Sequence, residues 1–284
     1  MTRNEDGKAL SGSPYQIIEE YSKRKLVEAT HHSWNSCMLL FSTYPRAEYR
    51  PTSRYQLFKS GLKIAMLNRV MHTSLRPVEA DQAIGEVKQY YESDRLPFTW
   101  QVDPWDKPRD LAKKLEGAGF VREETPGMAV TIDEMVEPVK PDGFSYSRVD
   151  SPEKLDAYAR LMVKAYGMPE HTWDWFVGGL KHIGVVDGFR SYIGYLDGKP
   201  VATSSILYSD GVAGLYNVAT LPEARGRGIG GIISYVPFID ASERGYRFGV
   251  LHSTRMGYNV YKRIGFEEIC KLIRYQWNPA EDAT

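Results

Sequence analysis

The chain has 284 residues, 42% of them hydrophobic and 25% charged, a composition suited to a globular protein rather than a disordered or fibrous one. Lys plus Arg equals Asp plus Glu at 36 each, so the basic excess of a nucleic-acid binder is missing. The two cysteines, Cys37 and Cys270, lack metal-ligand spacing and read as buried thiols in a reducing compartment, with a disulfide as the lesser alternative. No apolar run nears the ~20 residues that span a bilayer, and the N-terminus shows no apolar signal core. The expectation is a soluble, cytoplasmic chain without metal, membrane or nucleic acid.

Residues 1–13 and 279–284 are polar and expected to be loose. Two helices are predicted over 14–29 and 30–41, then a loop over 44–51. Short strands follow at 55–58 and 62–70 around Gly61. Helical spacing runs over 77–92 through Val78, Ile84, Val87 and Tyr91. Residues 96–102 form a strand, broken by Asp103-Pro-Trp-Asp-Lys-Pro108, and a short helix over 109–117 stops at Gly117 and Gly119. A strand at 128–132 closes this half. Residues 137–143 carry two prolines and a glycine and read as a linker.

The second half runs through a similar order. A strand at 144–149 precedes a helix that Ser151 caps and that runs to Tyr166. A second helix spans 170–183. Strands at 190–195 and 201–208 flank Leu196-Asp-Gly-Lys-Pro200, a hairpin signal. A strand at 214–220, a glycine-rich turn, and a helix to Glu243 come next; Pro237 should kink or break that helix. A strand at 248–252, a short helix at 257–263 and strands over 266–277 complete the chain. Strands mixed with helices predict an α+β sandwich. The halves also echo each other locally: Leu115-Glu-Gly-Ala-Gly-Phe120 parallels Tyr261-Lys-Arg-Ile-Gly-Phe266, each a short helix ending in Gly-Phe.

The chemistry concentrates in Leu215-Tyr-Asn-Val-Ala-Thr-Leu-Pro-Glu-Ala-Arg-Gly-Arg-Gly-Ile-Gly-Gly231. Glycines allow consecutive backbone N–H groups to converge. The following helix adds its own unbonded N–H groups and the positive end of its dipole. Such a loop suits a diphosphate. Arg225 and Arg227 add positive charge. Walker spacing is missing, and the glycine spacing differs from a dinucleotide fingerprint.

Arg225, Gly228 and Gly230 match Arg/Gln-x-x-Gly-x-Gly/Ala, and Tyr261 to Phe266 match Tyr-x-x-x-Gly-Phe. Together these resemble the GNAT superfamily of N-acetyltransferases over about 143–277. The resemblance implies two GNAT-like domains, with mixed sheets flanked by helices and a splayed strand pair in the second: a degenerate domain over 1–136 and the acetyltransferase domain over 143–284. It implies that Arg225, Gly226, Arg227, Gly228, Ile229, Gly230 and Gly231 cradle the pyrophosphate of acetyl-CoA, the co-substrate. It implies that the backbone of Asn217, Val218, Ala219 and Thr220 receives the pantetheine arm, one N–H polarising the thioester carbonyl. It also implies that Tyr261 protonates the departing thiolate. The family's carboxylate near the splayed strand is absent, so no base is assigned. The first half lacks the glycine pattern, has Asp103-Pro-Trp-Asp-Lys-Pro108 after its strand, and has Leu115 in place of the tyrosine. It is expected not to bind CoA productively.

The expected reaction is acyl transfer to a primary amine of a small molecule. An acyl-CoA-binding sensor without catalysis, or transfer to a protein or peptide amine, remains the alternative, and a homodimer is left open. Tyr166, Glu170, His171, Trp173, Asp174 and Trp175 border the expected acceptor pocket, although each reads singly as packing or a solvated face. His182 and His252 read as structural.

Overall fold

The computed structural model describes residues 16–279. Of the ends expected to be loose, 1–13 and 279–284, all but residue 279 lie outside that range. In chain order the elements are α1 (Lys23–Leu39), β1 (Glu48–Pro51), β2 (Gln56–Lys59), β3 (Asn68–Met71), α2 (Ala80–Glu92), β4 (Phe98–Val102), α3 (Leu111–Gly117) and β5 (Val121–Thr131). They continue with β6 (Phe144–Arg148), α4 (Pro152–Ala165), α5 (Trp173–Ile183), β7 (Phe189–Leu196), β8 (Lys199–Ser209), β9 (Val212–Thr220), α6 (Ile229–Glu243), β10 (Phe248–His252), α7 (Tyr258–Arg263) and β11 (Glu267–Trp277). The α+β expectation holds.

Several boundaries differ from expectation. The two helices expected before residue 41 are one helix, α1, because nothing between Ala29 and Thr30 stops it. Thr30 is accommodated inside it by donating its hydroxyl to the Leu26 carbonyl at 2.7 Å. The loop expected at 44–51 contains β1, which pairs with β2 from Glu48↔Lys59 to Pro51↔Gln56. Pro51 ends an edge strand, where its missing N–H is harmless. α6 runs through Pro237 without ending. The hairpin at 196–199 forms as read. Asp197 and Gly198 take positive φ of 50° and 75°, as a two-residue primed turn requires.

The chain forms two compact units. The first contains α1 up to Cys37 and Pro126–Cys270. The second contains Met38–Thr125 and the segment from Lys271 onward. This division is not the single cut at 137–143 that the linker suggests. Burial decides it: Leu26 and Ala29 of α1 join Ala129, Val212, Phe248 and Val250 in one cluster of the first unit.

In the first unit the sheet order is β5-β10-β9-β8-β7-β6. The β9–β10 pair is parallel and the neighbouring pairs are antiparallel. α6 covers one face, packing Ile229, Ile232, Ile233, Val236 and Phe238 with Ile206, Ala213, Leu215 and Leu251. α4 packs over β8 on the opposite side, where Tyr158 meets Ser205. β8 is therefore buried continuously from Val201 to Ser209, as a strand covered on both faces must be. In the second unit the order is β1-β2-β3-β4-β11, with only β3–β4 parallel. Its core gathers Ile84, Val87 and Tyr91 of α2 with Phe98, Trp100, Leu111, Leu115 and Phe120. No helix among the described residues is long and apolar enough to cross a membrane.

Candidate active site

β9 and β10 pair only from Gly249↔Ala213 to Leu251↔Leu215. β9 continues to Thr220 beyond that point, bonded to β8 on its other side. The backbone groups of 216–220 that face β10 thus leave the ladder and line an open fork. An extended amide-bearing chain could pair with such an edge in strand fashion.

The fork coincides with a bulge. The β8–β9 register runs Thr203↔Ala219 and then Ser205↔Tyr216, so Asn217 and Val218 stand opposite Ser204. Asn217 has a positive φ of 52°, a conformation asparagine tolerates better than most residues. Two side chains of β8 hold it. Thr203 donates to the Asn217 carbonyl at 2.9 Å, and Asn217 Nδ2 donates to Ser205 Oγ at 3.4 Å. The bulge turns the Asn217–Val218 peptide out of regular strand geometry. No sequence signal marked it beyond the asparagine itself.

After β9, a single 3-10 turn at Pro222–Ala224 leads into Arg225 and the glycines. Gly226 and Gly228 have φ of 76° and 78°, which other residues reach only with strain. Gly228 caps α6, and the Gly231 N–H already closes back on the Gly228 carbonyl at 3.1 Å. The positive end of the dipole of a four-turn helix lies at this loop. Arg225 is placed differently from expectation. Its Nε donates to the Thr220 carbonyl at 3.0 Å and its Nη2 to the Ala165 carbonyl at 3.2 Å. It fastens the end of β9 to the end of α4. Arg227 is exposed on the loop.

Tyr261 lies on α7 and is 9% exposed. Its ring meets Phe266 edge-on at 6.0 Å. Gly257 makes room for it, since a Cβ there would lie 2.7 Å from Tyr261 Cε2. Burial pushes its phenol up to about 12, so it stays protonated through the neutral range. Near it, Tyr166 follows α4 with 46% of its surface exposed. Tyr158 is fully buried, shares a hydrogen bond with Ser205, and is pushed up to about 12, again by burial. Ser205 in turn bonds Ser191 at 2.9 Å. A hydroxyl chain thus backs the bulge.

The other acceptor candidates behave as packing or surface. Trp175 is buried against Phe176, and Trp173 donates to the Met168 carbonyl at 2.8 Å. Glu170, His171 and Asp174 are exposed, as is His182. Cys37 is buried and Cys270 partly so.

The second unit repeats the arrangement with a different outcome. β3, α2 and β4 correspond to β9, α6 and β10, because β3–β4 is again the parallel pair. The counterpart of the glycine loop is therefore His72-Thr-Ser-Leu-Arg-Pro-Val-Glu79, before α2. The segment expected to fill that role, Asp103 to Pro108, corresponds to the turn after β10. The two segments are closed on each other. Lys107 N donates to the Thr73 carbonyl and Leu75 N to the Lys107 carbonyl, both at 3.1 Å. Thr73 N donates to Asp106 Oδ1 at 3.2 Å, and Trp100 Nε1 to Thr73 Oγ1 at 2.9 Å. Asp106 is raised to about 7 by burial and by Asp103 beside it.

Residues 140–263 match the family model described as an acetyltransferase (GNAT) domain. No curated protein matches the sequence. Among solved structures, a GCN5-related N-acetyltransferase from Kribbella flavida is similar at 18% identity and TM-score 0.65, covering 90% of this chain and 97% of that one. One from Sphaerobacter thermophilus gives 16% and 0.59, covering 91% and 92%. A tandem GNAT protein from the clavulanic acid biosynthesis pathway gives 15% and 0.57, covering 95% and 99%. Residues 140–263 therefore resemble a GNAT acetyltransferase domain, in a chain that shares its fold with solved GNAT proteins, a tandem one among them.

Proposed function

We propose that this chain is an acyl-CoA-dependent N-acyltransferase, with acetyl-CoA as donor and a primary amine of a small molecule as acceptor. The observation that carries the reading is the fork between β9 and β10, set directly before a positive-φ glycine loop that opens α6. A strand edge for the pantetheine amides, with an N–H cluster for the diphosphate at its end, suits CoA better than a simple nucleotide.

In this reading the backbone of Asn217 to Thr220 receives the pantetheine. The displaced Asn217–Val218 peptide supplies an N–H to the thioester carbonyl, where charge develops as the amine adds. Gly226 to Gly231 take the diphosphate, Arg227 adds charge, and Arg225 holds the loop to strand and helix. Tyr261 donates a hydrogen bond and then a proton to the departing sulfur. Its elevated pKa keeps the donor in place but puts any alkaline limb from this phenol near pH 12, beyond a usable pH range. The second unit, with its counterpart segments closed, takes no donor.

Calorimetry on the full chain with CoA, and thiol release from acetyl-CoA with an amine panel, test the reading. One CoA per chain, with exchange protection over 217–231 and none over 72–79 or 103–108, is expected. Protection at 103–108 instead would sink the assignment. A fragment starting at Gly143 is unsuitable, because the first unit also needs α1 and residues 126–142. Tight CoA binding without turnover of any amine would favour the sensor alternative.

A further inference from the structure

The bulge at Asn217 is backed by a buried polar group that packing does not require. α4 buries Leu155, Tyr158, Ala159 and Met162, spaced as one helix face. A phenylalanine would fill the place of the Tyr158 ring. A phenol taken fully out of water costs free energy unless its hydroxyl is bonded, and the partner here is Ser205. On β8, Ala202, Ile206 and Tyr208 pack into the α6 core. Alternation therefore turns Thr203 and Ser205 to the α4 side.

Ser205 is a hub. Its hydroxyl bonds Tyr158, bonds Ser191 directly opposite on β7 at 2.9 Å, and accepts from Asn217 Nδ2 at 3.4 Å. A hydroxyl has one proton to give and two lone pairs, so these three partners saturate it. Tyr158 and Ser205 are 0% exposed and Ser191 4%, so water does not compete for these bonds. Tyr158 thus reaches, through one serine, the residue that departs from regular strand geometry. Asn217 has a φ of 52°, and such a conformation persists only where the surroundings over-determine it. Its side chain is held by the hub and its carbonyl by Thr203 at 2.9 Å. In a planar trans peptide the C=O and N–H point opposite ways. A carbonyl drawn to Thr203 therefore turns the Val218 N–H away from it.

We propose that Tyr158 and Ser205 are positioning residues for acyl transfer, acting through Asn217 to hold the Val218 N–H on the thioester carbonyl. The proposal rests on the acyl-transfer reading, which puts that carbonyl at the bulge. Neither residue passes a proton or changes a bond. They set where a donor sits. Charge gathers on the carbonyl oxygen as the amine adds, and a donor shifted from its place stabilises that charge less.

The test uses the full chain, Tyr158→Phe, Ser205→Ala and the double variant, with acetyl-CoA carrying carbon-13 at the thioester carbonyl. Infrared difference spectra of the complex read the polarisation of that carbonyl and need no acceptor. Tyramine, spermidine and glucosamine are the probe amines for kcat. In wild type the bound carbonyl stretch should lie below that of free acetyl-CoA. Each single variant should move it back toward the free value and leave acetyl-CoA affinity unchanged. Each should lower kcat by about tenfold, part of the roughly 10²–10³-fold that an oxyanion donor supplies. The double variant should lose no more than the worse single one, because both act along one path. Tyr158→Phe keeps the ring and carries the test should the alanine variant fail to fold. A lower melting temperature with wild-type stretch and kcat overturns the proposal and leaves Tyr158 as a prop for α4. Losses that multiply in the double variant overturn the shared path. Should acetyl-CoA bind but no amine react, the carbonyl stretch still decides. Should wild type not bind acetyl-CoA, the acyl-transfer reading fails and takes the proposal with it.

Discussion

The same strand–helix–strand arrangement occurs twice in this chain, open once and closed once. In the first unit, β9 and β10 part after Leu215 and Leu251, and a bulge and a glycine loop follow. In the second, the segments after β3 and β4 stay bonded through Thr73, Leu75, Asp106 and Lys107. The helices that come next are nearly superposable in logic. Phe266 N bonds the Tyr261 carbonyl at 3.1 Å, and Phe120 N bonds the Leu115 carbonyl at the same 3.1 Å. Gly265 and Gly119 follow both helices with positive φ, the usual left-handed helix stop. What separates the units is therefore not the scaffold. A donor slot needs backbone groups released from their ladder, and the second unit has satisfied its own.

The largest expected effect comes from filling the open site. Gly228→Glu adds a side chain at φ 78° and a carboxylate at the proposed diphosphate position. Like charges about 4 Å apart at an effective dielectric near 20 cost about 4 kcal/mol, or about a thousandfold in CoA affinity. Unchanged affinity by calorimetry in a folded variant would remove the loop from the site. The second effect is on chemistry. Tyr261→Phe makes the first unit resemble Leu115 of the second in lacking a hydroxyl, while keeping the ring against Phe266. We expect kcat lower by about 10²-fold with acetyl-CoA affinity retained. Full kcat, with chemistry shown to be rate-limiting, would leave the ring as packing alone.

The closed segments make a prediction of their own. Asp106 has its folded pKa raised from 3.8 to about 7. For an acid raised in this way the folded state binds the proton more tightly. Stability is then greatest below the unfolded value near pH 4, falls as pH rises toward 7, and is flat above it. The span corresponds to about 2–4 kcal/mol. Amide exchange at Thr73 and Asp103, whose N–H groups Asp106 accepts, should quicken over that range, and Asp106→Asn should flatten the trend. Exchange that does not vary with pH after correction for its intrinsic rate would contradict the raised pKa. The smallest effect concerns the bulge. Thr203→Val removes the 2.9 Å bond to the Asn217 carbonyl and should cost about 1 kcal/mol of stability. A fall in kcat/KM several times larger than any change in CoA affinity would tie the bulge to the reacting carbonyl. Equal losses in both would make it a general support of the strand.

Much of the candidate site's local geometry was legible in the sequence because it depends on near neighbours. Gly226 and Gly228 need positive φ, Gly228 opens a helix, and Tyr261 precedes Gly265-Phe266 on a one-turn motif. Each depends on neighbours within a few residues, which periodicity and glycine spacing report. The hairpin at Asp197-Gly198 and the Ser151 cap, whose hydroxyl accepts from Lys154 N at 3.3 Å, were readable for the same reason. The role of Arg225 was not, since its partner carbonyls at Thr220 and Ala165 come together only when β9 and α4 pack.

The amino-acid sequence by itself determined the α+β class, the glycine loop, the tyrosine motif and the resemblance of the two halves, all set by short-range backbone preference and hydrophobic period. Tertiary structure alone decided the fork, the bulge at Asn217, the closed counterpart at Thr73–Lys107, and the division into units that draws α1 into the first. Ser33 meets Tyr216 across 183 positions of chain. Such contacts follow from which faces must be buried together, and no local pattern encodes them.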